Sequence, residues 1–181
     1  SRADRVTGIL NGIDLSAWDP ETDSSLAANF TVGSLSRRAA NKTALQKQLG
    51  LKEERRIPLL AMIGRIDPQK GVDITIESLR RMSKADWQFV ILGSSDPALE
   101  DAARTLQADF PERVHAAIRY DAQLSRLIYA GADMFLMPSR YEPCGLAQMI
   151  AMHYGCVPVV RATGGLKDTV EECRTGFLFR S

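Results

Sequence analysis

Two cations stand five residues apart in Gly64-Arg65-Ile66-Asp67-Pro68-Gln69-Lys70-Gly71. A carboxylate stands directly before a proline in Pro138-Ser139-Arg140-Tyr141-Glu142-Pro143-Cys144-Gly145-Leu146. Arg65 and Lys70 suit a polyanion such as a phosphate. The start of a helix already carries positive partial charge, so a lysine there is otherwise unfavourable. The alternative is a solvated turn. Pro143 keeps Glu142 out of helical conformation. The segment from Cys144 through Gly145 and Leu146 to Ala147 then offers free backbone N–H groups where a helix begins. A carboxylate beside such donors can hold sugar hydroxyls while the donors hold a phosphate. The alternative is that Glu142 caps its own helix. In Arg119-Tyr120-Asp121, the tyrosine is either a rim aromatic or a plate on which a base stacks, and Asp121 reads as an N-cap. Thr163-Gly164-Gly165-Leu166 fits a tight strand-to-helix turn better than a phosphate cradle.

Other chemistries find no support. Neither a G-x-G-x-x-G nor a G-x-x-x-x-G-K-S/T pattern is present, which removes the dinucleotide and P-loop motifs. Cys144, Cys156 and Cys173 include no C-x-x-C, and with only His115 and His153 they assemble no zinc framework. No metal and no cofactor is expected. The two histidines read as structural or solvent-facing. Cys144 has no histidine near it in sequence to activate it as a nucleophile, and reduced thiols of a cytosolic type are expected. Lys plus Arg is 23 and Asp plus Glu is 22, giving a net charge of +1. No global field recruits nucleic acid or an anionic membrane, so any anion must be held locally. There is no signal peptide pattern and no apolar run of the roughly 18 residues a membrane helix needs.

The elements that must position these loops follow from hydropathy. The 181 residues are 45% hydrophobic and 25% charged, ordinary for one globular domain. Residues 1–56 are irregular, with turn signals at Asn11-Gly12 and Asp19-Pro20. They include one short helix, with Asn41 as N-cap and Gly50 just past its end. From residue 57, apolar strands alternate with amphipathic helices. The strands are expected at 57–63, 87–92, 114–118, 134–137, 157–160 and 176–179. Helices are centred on Ile76, Leu106, Leu127 and Ile150, with another at 166–172. This alternation predicts successive βαβ units and an α/β fold: a Rossmann-like parallel sheet with helices on both faces. In such sheets ligands bind beyond the carboxyl ends of the strands, where the loops above lie.

Beyond the post-strand loops, Ile9-Leu10-Asn11-Gly12-Ile13-Asp14, Trp18-Asp19-Pro20-Glu21-Thr22-Asp23 and Thr163-Gly164-Gly165-Leu166-Lys167-Asp168-Thr169-Val170 join the pattern. Together these motifs resemble bacterial glycogen synthase and plant starch synthase, glycosyltransferase family five. The resemblance implies the C-terminal, donor-nucleotide half of a two-domain GT-B glycosyltransferase. Residues 1–56 would be the interdomain strap leading into the domain, and 57–181 the nucleotide-sugar-binding domain. The N-terminal acceptor domain and the closing helices after the last strand would be missing. The start at Ser1 and the end inside a strand-like run match that expectation of a piece of a longer protein.

By the same resemblance, Arg65 and Lys70 would hold the distal phosphate of ADP-glucose, and the N–H groups of Leu146 and Ala147 would bind phosphate. Glu142, with the N–H groups of Cys144 and Gly145, would hold the glucose hydroxyls, and Tyr120 would stack on adenine. Arg119 stands where the family usually has glycine. Ile150 stands where the wider superfamily has a second carboxylate. The implied reaction moves glucose from ADP-glucose to the non-reducing end of an α-1,4-glucan with retention. The isolated domain would be inactive. A bacterial cytoplasm is implied, or a plastid stroma in the plant branch. A UDP-sugar-dependent transferase on the same scaffold, or a non-catalytic nucleotide-binding module, are the competing readings.

Overall fold

The computed structural model describes residues 7–180; the first six positions and Ser181 lie outside the described residues. A 3₁₀ segment, Val32–Arg37, runs into α1 (Arg38–Gln48). The alternating part follows as β1 (Leu59–Ile63), α2 (Val72–Arg81), β2 (Gln88–Gly93), α3 (Pro97–Asp109), β3 (Val114–Ile118) and α4 (Ala122–Gly131). It continues as β4 (Met134–Met137), α5 (Ala147–His153), β5 (Val157–Arg161), α6 (Gly164–Thr169) and β6 (Phe177–Phe179). The strands form one sheet in the order β3-β2-β1-β4-β5-β6, with every neighbouring pair parallel. The order reverses between β1 and β4, which opens a crevice at their carboxyl ends.

Side chains alternate across a strand, and two cores result. Leu59, Ala61, Val90, Leu92, Phe135 and Val160 pack with α1, α4, α5 and α6 on one face. Leu60, Met62, Phe89, Ile91 and Val114 pack with α2 and α3 on the other. Phe30, Leu45, Leu49 and Leu51 join the first core, so the region before β1 is built into the domain. Each such fully buried side chain contributes about 1.5–3 kcal/mol.

Two sequence expectations shift. Asn41 does not cap α1 but lies inside it, fully buried. Its amide donates to Ala28 O at 2.8 Å and accepts from Ala28 N at 3.0 Å, so it satisfies both backbone groups of Ala28 rather than a helix end. Gly50 does follow the helix, with φ +67°. The helix expected at 166–172 is Gly164–Thr169 instead, because Val170 is extended (φ −111°, ψ 124°). The residues beyond it form a turn in which Glu171 N–H donates to Thr175 Oγ1 and Leu178 N–H donates to Glu172.

The carboxyl ends of β1 and β2 meet so closely that side chains are excluded. Gly93 has φ +155°, and a Cβ there would lie 1.8 Å from Gly64 O. Gly93→Ala should therefore cost about 2–3 kcal/mol. A thermal melt should show a fall of roughly 2–4 °C per kcal/mol for a domain this size. An unchanged melting temperature would mean that the two strand ends separate freely.

Candidate functional site

The loops after β1 and β4 face each other across the switch point and are tied by hydrogen bonds. Arg140 N–H donates to Gln69 O at 2.8 Å, and Gln69 Nε2 donates to Tyr141 O at 3.0 Å. The Arg140 guanidinium donates to Pro68 O at 2.6 Å and forks onto both Asp73 oxygens at 2.8 and 2.6 Å. That fork holds the Asp73 carboxyl below its ordinary range. Gly71, at φ +73°, leaves no room for a side chain, since a Cβ would lie 2.3 Å from Pro138 O. The two loops therefore behave as one unit.

Within that unit the expected phosphate and sugar groups touch. Lys70 Nζ lies 2.5 Å from Glu142 Oε2, with the two side chains 22% and 8% exposed. Ser139 Oγ approaches the same carboxylate oxygen at 3.4 Å. Glu142 does not cap α5: the N-cap is Leu146, with no side-chain hydrogen bond. The capping alternative is thereby removed. Lys70 closes a 3₁₀ turn, Pro68–Lys70, and its N–H donates to Asp67 Oδ1 at 2.9 Å. Arg65 pairs with Asp67 Oδ2 at 2.9 Å and donates to Gln69 Oε1 at 3.1 Å, while staying 61% exposed. Each cation thus has a carboxylate partner from these loops.

The turn of α6 completes the loop. Gly165 N–H donates to Glu142 O at 3.0 Å. A Cβ at Gly164 would lie 2.0 Å from Glu142 O, and one at Gly165 2.5 Å from Cys144 Cα. Thr163-Gly164-Gly165 is the expected tight turn, and its glycines let α6 press the Glu142-Pro143-Cys144 backbone into place. Gly145 takes φ +76°, and α5 begins at Ala147. Leu146 is exposed, while Cys144, Gly145 and Ala147 are half-buried.

Beside these loops opens a cleft of about 460 Å³, lined by Arg65, Gly93, Ser94, Tyr120, Tyr129 and Ile150 among others. Tyr120 stands on its rim, 91% exposed. Arg119 turns to Asp121 at 3.0 Å, and Asp121 caps α4 through Leu124 N–H as expected. Sequence reasoning missed Trp18, which lines the same cleft. Trp18 sits edge-on to Tyr129 at 5.7 Å and under the Arg126 guanidinium at 4.4 Å. Asp23 anchors that corner, accepting from Tyr154 Oη at 2.7 Å and Arg126 at 3.0 Å. Burial works to raise the Asp23 carboxyl, but bonds from Tyr154, Ser25 and Arg126 outweigh it and hold the group below its ordinary range. The Trp18-Asp19-Pro20-Glu21-Thr22-Asp23 run, quoted above as a motif, was the available signal.

The remaining titratable groups stand apart. His115 Nδ1 contacts Leu49 O at 3.1 Å, and burial lowers its pKa; His153 is exposed. All three cysteines are free, and burial pushes the Cys156 thiol up to about 12. Among the described residues, no cluster of three His, Cys, Asp or Glu is arranged to hold a metal, and no helix is long and apolar enough to cross a membrane.

Comparison with known proteins places this geometry in a family. The sequence pattern of the family described as glycosyl transferases group 1 matches residues 57–181. A glycogen synthase of Anaeromyxobacter sp. (strain Fw109-5) is 50% identical over 184 aligned positions, covering 99% of this chain and 39% of that protein. One from Lactiplantibacillus plantarum is also 50% identical, covering 92% of this chain and 35% of that protein. The chain thus spans well under half the length of these relatives. Among solved structures, the catalytic domain of starch synthase IV from Arabidopsis thaliana, bound to ADP and acarbose, superposes with a TM-score of 0.90 at 42% identity. That match covers 96% of this chain and 38% of the other. An Anabaena protein in complex with UDP-glucose shares the fold at a TM-score of 0.71 and 21% identity.

Proposed function

The chain belongs to the group 1 glycosyl transferases, and we propose that it is the donor-binding half of a glycogen or starch synthase. The reaction transfers glucose from ADP-glucose to the non-reducing end of an α-1,4-glucan with retained configuration. The observation that carries this reading is the Lys70–Glu142 contact of 2.5 Å at the β1/β4 switch point. In this reading a phosphate-binding cation stands beside a sugar-binding carboxylate, in the same loops as Arg65, which lines the cleft. The ADP named for the starch synthase structure supports the choice of nucleotide.

In this reading, adenine lies against Tyr120 and the diphosphate meets Arg65, Lys70 and the N–H groups of Leu146 and Ala147. The glucose meets Glu142 and the N–H groups of Cys144 and Gly145. The leaving group is a diphosphate, so the principal task of these residues is stabilising the charge that grows on it. Ile150, eight positions after Glu142, is buried and lines the cleft, so no second carboxylate stands there for acid–base work. The chain before β1 leads in from an acceptor-binding domain, whose glucan is the second substrate. The enzyme works in a bacterial cytoplasm, where its three thiols stay reduced.

The test is glucan elongation by the intact protein with ADP-glucose and UDP-glucose in parallel. Elongation from ADP-glucose supports the proposal. Elongation from UDP-glucose alone, or tight nucleotide binding with no transfer, overturns it. In this reading the 181-residue chain by itself should transfer no glucose, since it spans well under half the length of its relatives and the acceptor surface lies in the rest.

Tyr120 gives a narrower test. Because the ring is open to water, Tyr120→Ala should weaken ADP binding by about fivefold to tenfold, near the lower end of base–aromatic stacking. Tyr120→Phe should keep near-normal affinity. Equal losses in calorimetry would assign the contact to the hydroxyl.

A further inference from the structure

We propose that Gln148 is the positioning residue that turns the peptide N–H groups of Gly145 and Leu146 towards the donor; this rests on the donor-site reading above. Gln148 lies in the first turn of α5 and is fully buried. Its Nε2 donates back to Cys144 O at 3.1 Å and Gly145 O at 2.8 Å, and across to Thr169 Oγ1 at 3.1 Å. Thr169 Oγ1 in turn donates to Gly165 O at 2.7 Å, so its lone pair faces Gln148 and fixes which end of the amide carries the hydrogens.

The consequence follows from peptide geometry. No peptide bond here is cis, and in a trans peptide the C=O and N–H point in opposite directions. The carbonyl of Cys144 shares its peptide with Gly145 N–H, and that of Gly145 with Leu146 N–H. Drawing both carbonyls inward onto one buried amide drives both N–H groups outward. Neither N–H has a hydrogen-bond acceptor among the described residues. Gly145 makes the arrangement possible: a Cβ there would lie 2.4 Å from Gln148 Oε1, and φ is +76°. Gln148 Oε1 itself is buried without a hydrogen-bond partner.

Gln148→Met keeps the length and volume of the side chain and removes the donor. Gln148→Glu replaces the donor with an oxygen facing three acceptors. The 181-residue chain and both variants are titrated with ADP and with adenosine, following amide resonances, and their melting temperatures are recorded. Gln148→Met should bind ADP about tenfold or more weakly, the loss of at least one charge-assisted hydrogen bond. It should bind adenosine as the unaltered chain does. A general folding defect would weaken both ligands together. The Gly145 and Leu146 amide resonances should also move in the unliganded variant. If Gln148→Glu does not fold, Gln148→Met alone decides. Unchanged ADP affinity in Gln148→Met, or equal losses for ADP and adenosine, overturns the role. An unaltered chain that binds neither ligand overturns the donor-site reading, and this inference with it.

Discussion

Glu142→Ala in the intact protein should lower kcat by about 10²–10³-fold, the effect of losing a preorganised transition-state contact. ADP affinity should hold or rise. The Glu142 carboxylate is nearly buried, and its contacts are Lys70 and Ser139, not a helix end. In the proposed donor reading, it lies where the sugar joins the diphosphate. As the glycosidic bond breaks, the ring gains positive charge, and a fixed carboxylate there acts in the transition state more than in the ground state. Removing it also frees Lys70 from its partner, so the cation is more available to phosphate. Glu142→Gln keeps the shape and loses the charge. It should retain ADP binding and lose most of the turnover. Steady-state kinetics and ADP calorimetry on both variants check this. Near-normal turnover in Glu142→Ala, with only a lowered melting temperature, would reduce the residue to a structural one.

The parts of the site that were legible in the sequence are those set by local rules. Apolar runs and helical spacing placed six strands within two residues of where they lie, and the post-strand rule pointed to the loops holding Arg65, Lys70 and Glu142. Asp121 capped its helix, and Gly164-Gly165 made a tight turn, because both effects are decided by a few neighbouring residues. What escaped depends on partners distant in the chain. Lys70 and Glu142 are 72 residues apart, and their pairing exists only because β1 and β4 are neighbours across the strand-order reversal. Asn41 looked like a helix cap because its type favours that role; its actual partner, Ala28, lies 13 residues back in a segment without regular structure. Gln148 falls between apolar helix positions and reads as a surface residue until the carbonyls of Cys144 and Gly145 are seen to converge on it. Trp18 was visible as part of a motif, but its place in the cleft depends on the anchoring of Asp23 by Arg126 of α4 and by Tyr154, just past α5.

Lys70→Ala should weaken ADP binding by roughly 10-fold to 150-fold, the range for one charge-assisted hydrogen bond of about 1.5–3 kcal/mol. Arg65→Ala should cost less, because its side chain is 61% exposed against 22% for that of Lys70, and water and salt screen it more. Raising salt should weaken ADP binding in the unaltered chain, and by a smaller factor in Lys70→Ala. The lysine variant also carries a second signature. Deleting Lys70 leaves Glu142 as a nearly buried carboxylate without its cation, which is costlier than losing an exposed pair. Thermal stability should therefore fall in Lys70→Ala and recover in Lys70→Ala/Glu142→Gln, where the stranded charge is gone. ADP affinity should not recover with it, because the phosphate has still lost its cation. This split between stability and affinity separates two tasks of one side chain: neutralising Glu142 when the site is empty, and meeting the diphosphate when it is filled. If the double variant regains both, Lys70 serves only its carboxylate and the phosphate lies elsewhere. If neither Lys70→Ala nor Arg65→Ala changes ADP affinity, the switch-point loops are not the diphosphate site.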